Sequence, residues 1–132
     1  LVGAAGGGAV TGSFAGDEPL LLQHRLPGLP IAVSNDRSEG IALLRQEERV
    51  ELVVADDAFQ HRKLRRDADI VLVDALCPWG NGRLFPAGLL REGARALGRA
   101  HLVVITKADQ VAPGRLEALK EELAGWVGRE RF

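Results

Sequence analysis

The chain has 132 residues, 46% hydrophobic and 27% charged, which lies in the soluble globular range and suffices for one α/β domain, residues 1–132, with a buried core. A net charge of −1 removes any global electrostatic case for nucleic acid, and the single cysteine, Cys77, excludes an intrachain disulfide and a cysteine-cluster metal site. No apolar run approaches the roughly 20 residues needed to span a bilayer, and the opening residues lack the basic start and long apolar core of a signal peptide. With no methionine anywhere, the chain reads as a piece of something longer.

Residues 1–15 are rich in Gly and Ala, but the pattern G-x-x-x-x-G-K-[ST] is absent and no lysine precedes Lys63. The stretch therefore reads as loop or hairpin. Gly16-Asp17-Glu18-Pro19 leads into Leu20-Leu21-Leu22. Asp17 suits an N-cap and Pro19 a first helical turn, predicting a helix of about two to three turns ending near Pro27. The same pair, Asp17 and Glu18, also suits acid groups beside a phosphate-transfer site. Residues 29–33 predict a short strand, followed by the polar Ser34-Asn35-Asp36-Arg37. Residues 38–48 carry Ile41, Leu43 and Leu44 at helical spacing. With the next strand this makes a β-α-β unit with a right-handed crossover.

Residues 49–61, RVELVVADDAFQH, are the stretch around which the chemistry is organised. The apolar run predicts a buried parallel strand, and Asp56 and Asp57 fall at its carboxyl end, the edge where open α/β sheets bind ligands. Two neighbouring carboxylates there suit magnesium held for phosphoryl transfer, in the manner of a Walker B strand. An Asp-rich turn or helix N-cap fits the same spacing. Phe59 is expected to pack in the core, and His61 to serve either as a loop residue or as a contact to phosphate or hydroxyl. The cluster Arg62, Lys63, Arg65 and Arg66 reads as a solvated face or as an attractor of anionic headgroups.

A second buried strand, residues 69–74, again ends in Asp. A loop over residues 77–83 places Trp79 as an exposed aromatic, residues 85–88 make a turn, and residues 89–97 predict a short helix carrying Arg91 and Glu92. A third apolar strand, residues 101–107, runs into Thr106-Lys107-Ala108-Asp109. That sequence resembles the guanine-reading loop of GTPases, though it also suits a plain turn. Residues 113–127 open with Pro113 and carry Leu116, Leu119 and Leu123 on one face, predicting a helix. Together these elements predict an α/β fold of three or four mostly parallel strands (29–33, 50–55, 70–74, 102–106) flanked by helices.

Taken in order, several motifs resemble the tetraacyldisaccharide 4′-kinases, the lipid A 4′-kinases of Gram-negative bacteria. They are Gly16-Asp17-Glu18-Pro19-Leu20-Leu21-Leu22, Asp36-Arg37, Asp56-Asp57-Ala58-Phe59-Gln60-His61-Arg62, Arg66-Asp67, Gly80-Asn81-Gly82-Arg83-Leu84, Pro86-Ala87-Gly88 and Leu90-Arg91-Glu92. The resemblance implies a P-loop NTPase-like fold with a second α/β lobe. It implies transfer of the ATP γ-phosphoryl group, with magnesium, to the 4′-hydroxyl of a lipid disaccharide 1-phosphate. It makes Asp17 the catalytic base, places Glu18, Asp56 and Asp57 at the metal, and puts Arg37, Gln60, His61, Arg91 and Glu92 around the substrate. The partners it implies are the lipid A precursor and, through regions outside this stretch, the cytoplasmic face of the inner membrane.

The sequence departs from that family at Ala58, where Gly is usual, at Gly93, and at Cys77-Pro78-Trp79. Ala58 would be strained if its position needed positive φ. The family's Walker A loop and downstream lobe are not in this stretch, so the 132-residue chain alone is expected to show no kinase activity. Two other readings remain open: a nucleotide-binding regulatory module built on the Thr-Lys-Ala-Asp loop, and a non-catalytic domain of the same fold.

Overall fold

The computed structural model describes residues 2–4, 17–46 and 50–132, and the chain divides into two compact units, Leu1–Leu64 and Arg65–Phe132. Both mix helices with strands.

In the first unit, β1 (Val2–Ala4) lies between β2 (Ile31–Ala32) and β3 (Val53–Ala55) and is antiparallel to both. β2 and β3 therefore run the same way, as a β-α-β unit requires, with β1 inserted between them. The expectation of a mostly parallel sheet is thus corrected here: the only parallel pairing among the described residues is in the second unit. The reading of residues 1–15 as loop or hairpin missed β1, and residues 5–16 lie outside the described residues.

Helix α1 (Asp17–Arg25) starts on Asp17 and Glu18 and ends on His24 and Arg25, a charge order that complements the helix dipole. It stops at the Pro27-Gly28 turn, where Gly28 takes φ 90°. None of its residues is buried. Helix α2 (Arg37–Leu44) is capped by Asp36, whose Oδ1 accepts from the Ser38 amide at 2.8 Å. It ends earlier than residue 48, with Arg45 as C-cap. Leu44 is the buried centre of this unit, with Ala32, Ile41, Val50, Val53 and Ala55 packed on it. One face of β3 is thereby covered. The other is open, with Leu52 69% and Val54 64% exposed, so β3 is not the doubly buried strand that its apolar run suggests.

In the second unit, β4 (Ile70–Asp74) and β5 (Leu102–Thr106) pair in parallel, Ile70 opposite Leu102 and Asp74 opposite Thr106. Val73 and Val103 are buried, as are Leu97, Leu119, Leu123 and Val127, while Ile70, Leu72, Leu102 and Val104 are exposed. Helix α3 (Pro113–Val127) matches its predicted span and packs on the 3-10 turn Ala94–Arg99. The helix expected over residues 89–97 does not form. Leu90 instead bridges Leu84, and Gly93 is extended at φ −69°, ψ 159°, so only the 3-10 turn follows. At the amino ends of the two strands, the Asp69 amide donates to His101 Nδ1 at 2.9 Å, and Arg66 pairs with Asp69 at 2.9 Å. No helix among the described residues is long and apolar enough to cross a membrane.

Truncating Leu123, wholly buried on α3, to Ala should cost about 2–5 kcal/mol in urea denaturation. Leu72→Ala on the open face should stay within about 1 kcal/mol. Equal costs would show that Leu72 is as deeply covered as Leu123, against its 66% exposure.

Candidate functional site

β3 delivers its carboxylates into a tight turn. Asp57 takes φ 48°, a left-handed conformation that Asp tolerates better than most residues. The Gln60 side-chain amide closes the turn, donating to the Asp57 carbonyl at 3.1 Å and to its Oδ1 at 3.2 Å. The His61 amide donates to the Ala58 carbonyl at 2.9 Å. Ala58 is buried and is not a left-handed residue, so the strain expected there falls on Asp57 instead. Asp56 and Asp57 are exposed, whereas Phe59, Gln60 and His61 are half-buried. One short segment thus brings together Asp56, Asp57, Gln60 and His61.

The remaining residues of interest stand elsewhere. Asp17 and Glu18 are exposed in the first turn of α1. Arg37 is the first residue of α2, next to the Asp36 cap, and its Nε is buried with no hydrogen-bond partner among the described residues. A buried guanidinium donor left open at a helix start is suited to an anionic ligand. Arg91 is exposed and Glu92 half-buried in the second unit, where Glu92 accepts from Arg99 Nη2 at 2.5 Å. Among the described residues, no group of three or more His, Cys, Asp or Glu is arranged to hold a metal ion.

A second polar cluster sits where β4 and β5 end. Lys107, at φ 55°, extends Nζ to Asp74 Oδ2 at 2.5 Å, and Asp74 Oδ1 accepts from the Leu76 amide at 2.9 Å. The Lys107 ammonium, and then the Leu76 amide, hold the Asp74 carboxyl below its ordinary value. Arg115 of α3 donates to the Leu76 carbonyl at 3.2 Å. The Asp at the end of one strand and the Lys at the end of the next were both visible in the sequence. The parallel register that sets Asp74 opposite Thr106, one residue before Lys107, was not. The lysine of Thr-Lys-Ala-Asp is therefore engaged by protein, and Ala108–Gln110 form a single 3-10 turn. Trp79, expected to be exposed, is half-buried.

Comparison with known proteins decides the family. Residues 5–128 match the family described as LpxK, tetraacyldisaccharide-1-P 4′-kinase. The chain belongs to the tetraacyldisaccharide-1-P 4′-kinase family. It is 44% identical over 123 residues to a tetraacyldisaccharide 4′-kinase of Anaeromyxobacter sp. (strain K), covering 93% of this chain and 32% of the relative. The like-named proteins of Halothermothrix orenii and Syntrophotalea carbinolica are 39% identical over 111 residues and 45% over 100, covering 84% and 76% of this chain and 29% and 28% of those relatives. The chain thus spans about a third of the length of the family relatives it matches. No solved structure matches it.

The depressed Asp74 pKa fixes a sign. Its stabilising contribution is present above the ordinary aspartate value and is lost as pH falls through the lower folded value. Asp74→Asn should therefore lose less stability than the parent between about pH 5 and about pH 2, measured by urea denaturation at each pH. Parallel curves for the two proteins would contradict the pairing.

Proposed function

We propose that this chain is part of an ATP-dependent lipid kinase, P-loop NTPase-like in fold, that phosphorylates the 4′-hydroxyl of a tetraacyldisaccharide 1-phosphate in lipid A biosynthesis. The observation that carries the reading is the family match over residues 5–128, which takes in both units and every motif from Asp17 to Glu92.

Phosphoryl transfer needs positioning and charge neutralisation more than covalent chemistry from the protein. Asp17 is proposed to accept the proton of the attacking sugar hydroxyl. Asp56 and Asp57, hard oxygen donors on one strand end, fit magnesium, which commonly takes one or two carboxylates and completes its shell with phosphate oxygens and water. Glu18 is proposed to lie near that ion. Magnesium, when bound, supplies charge neutralisation at the phosphates. Gln60 keeps the Asp57 turn closed while its neighbour His61 contacts substrate. Arg37 offers its buried Nε, which no described residue satisfies, to an anionic oxygen. Arg91 and Glu92 are assigned to substrate by their family motif.

The test is a chimera in which this chain replaces the matching third of the Anaeromyxobacter sp. (strain K) relative, assayed for phosphorylation of the lipid disaccharide. The chimera should be active, and Asp17→Ala or Asp57→Ala should lower kcat about a hundredfold or more with substrate binding retained. Full activity in both variants would defeat these roles, and a folded but inactive chimera would favour a non-catalytic domain.

A further inference from the structure

Among the described residues, β5 pairs with β4 along one edge and with nothing along the other. On the paired side, the Leu102 amide donates to the Asp69 carbonyl at 3.1 Å and the Thr106 carbonyl accepts from the Ala75 amide at 3.0 Å. The backbone groups of successive residues in a ladder turn to opposite sides. Leu102, Val104 and Thr106 therefore face β4, while Val103 and Ile105 present their amides and carbonyls at the outer edge. No described residue satisfies those four groups. Sheets usually guard such an edge with charges, proline or a bulge. Between His101 and Lys107, β5 has only Leu, Val, Ile and Thr. The flanking polar side chains are drawn to the ends of β4, His101 by the Asp69 amide and Lys107 by Asp74.

A groove of about 750 Å³ runs along this edge. Residues 102–105 all line it. Consecutive strand side chains point to opposite faces, so four in a row mark an edge rather than a face. Leu116 and Lys120 of α3 form a second wall, and Phe132 lines it too. Lys120 is paired with Glu117 at 2.7 Å and Arg129 with Glu121, so the groove's charges are already balanced and do not call for a charged ligand. Open backbone donors and acceptors beside apolar walls suit an extended polypeptide strand. Such a strand bonds to the edge and buries alternate side chains in the groove.

We propose that the groove between β5 and α3 receives a further strand, added beside β5 by the two-thirds or so of the family polypeptide that lies outside the match to this chain. A strand tethered in the same molecule meets the edge at an effective concentration of about millimolar, which a second copy in dilute solution does not reach. The inference rests on family membership and on the edge itself, not on any catalytic role.

The experiment is amide hydrogen exchange by NMR on valine- and isoleucine-labelled protein. It compares the 132-residue chain with the chimera in which this chain replaces the matching third of the Anaeromyxobacter sp. (strain K) relative. In the chain alone, the Val104 amide, bonded to β4, should exchange at least about a hundredfold more slowly than those of Val103 and Ile105. In the chimera, Val103 and Ile105 should slow by at least about a hundredfold at every protein concentration. The unmodified relative gives a reading that does not depend on the chimera's folding: its amides aligned with Val103 and Ile105 should be protected. Fast exchange at those positions in either folded full-length protein would overturn the proposal. So would protection in the chain alone: if lost on dilution it assigns the edge to a second copy, and if kept on dilution it shows the edge closed. Exchange reads no catalytic step. An inactive chimera that protects both amides would count against the kinase roles and support this inference.

Discussion

Each sheet of this protein has apolar side chains on both faces and a covered core on one. That constraint sets the positions of its polar ends. In the first unit, packing of Val53 and Ala55 on Leu44 fixes which side of β3 faces α2, and the strand ends at Ala55, directly before Asp56 and Asp57. In the second, burial of Val73 and Val103 fixes the parallel register, which brings the Asp74 and Lys107 side chains together. A slip of one residue in either strand would exchange the covered and open faces and move both acidic ends.

The sequence was legible where a single local rule decided the outcome. Helix α3 follows from its starting proline and leucine spacing, and β4 and β5 from unbroken apolar runs rich in Val and Ile. It was less legible where distant residues decide. β1 is three residues of Gly- and Ala-rich sequence that become a strand only through partners at Ile31–Ala32 and Val53–Ala55. The absent helix after Leu89 reflects the competing Leu84–Leu90 bridge and the extended Gly93. Periodicity also overstated the burial of β3, because a run apolar on both faces does not say how many faces are covered.

The candidate site divides in the same way. The Asp56–Asp57 turn, its Gln60 brace and neighbouring His61 lie in one contiguous motif, so their association needed no long-range information. Arg37 gained weight only in three dimensions, through a buried Nε that no described residue satisfies. The partnership of Asp74 with Lys107 joins residues 33 positions apart and was hidden until the strands were paired. Membership of the tetraacyldisaccharide-1-P 4′-kinase family gives these local features a common setting, over a stretch equal to about a third of the relatives' length.

The most direct measurement of the carboxylate assignment is the magnesium dependence of the chimera's kinase rate, with and without Asp57→Asn. A carboxylate that helps to hold the ion should, on losing its charge, raise the half-saturating magnesium concentration by roughly tenfold or more. An unchanged magnesium dependence, with the rate at saturation also unchanged, would contradict the assignment.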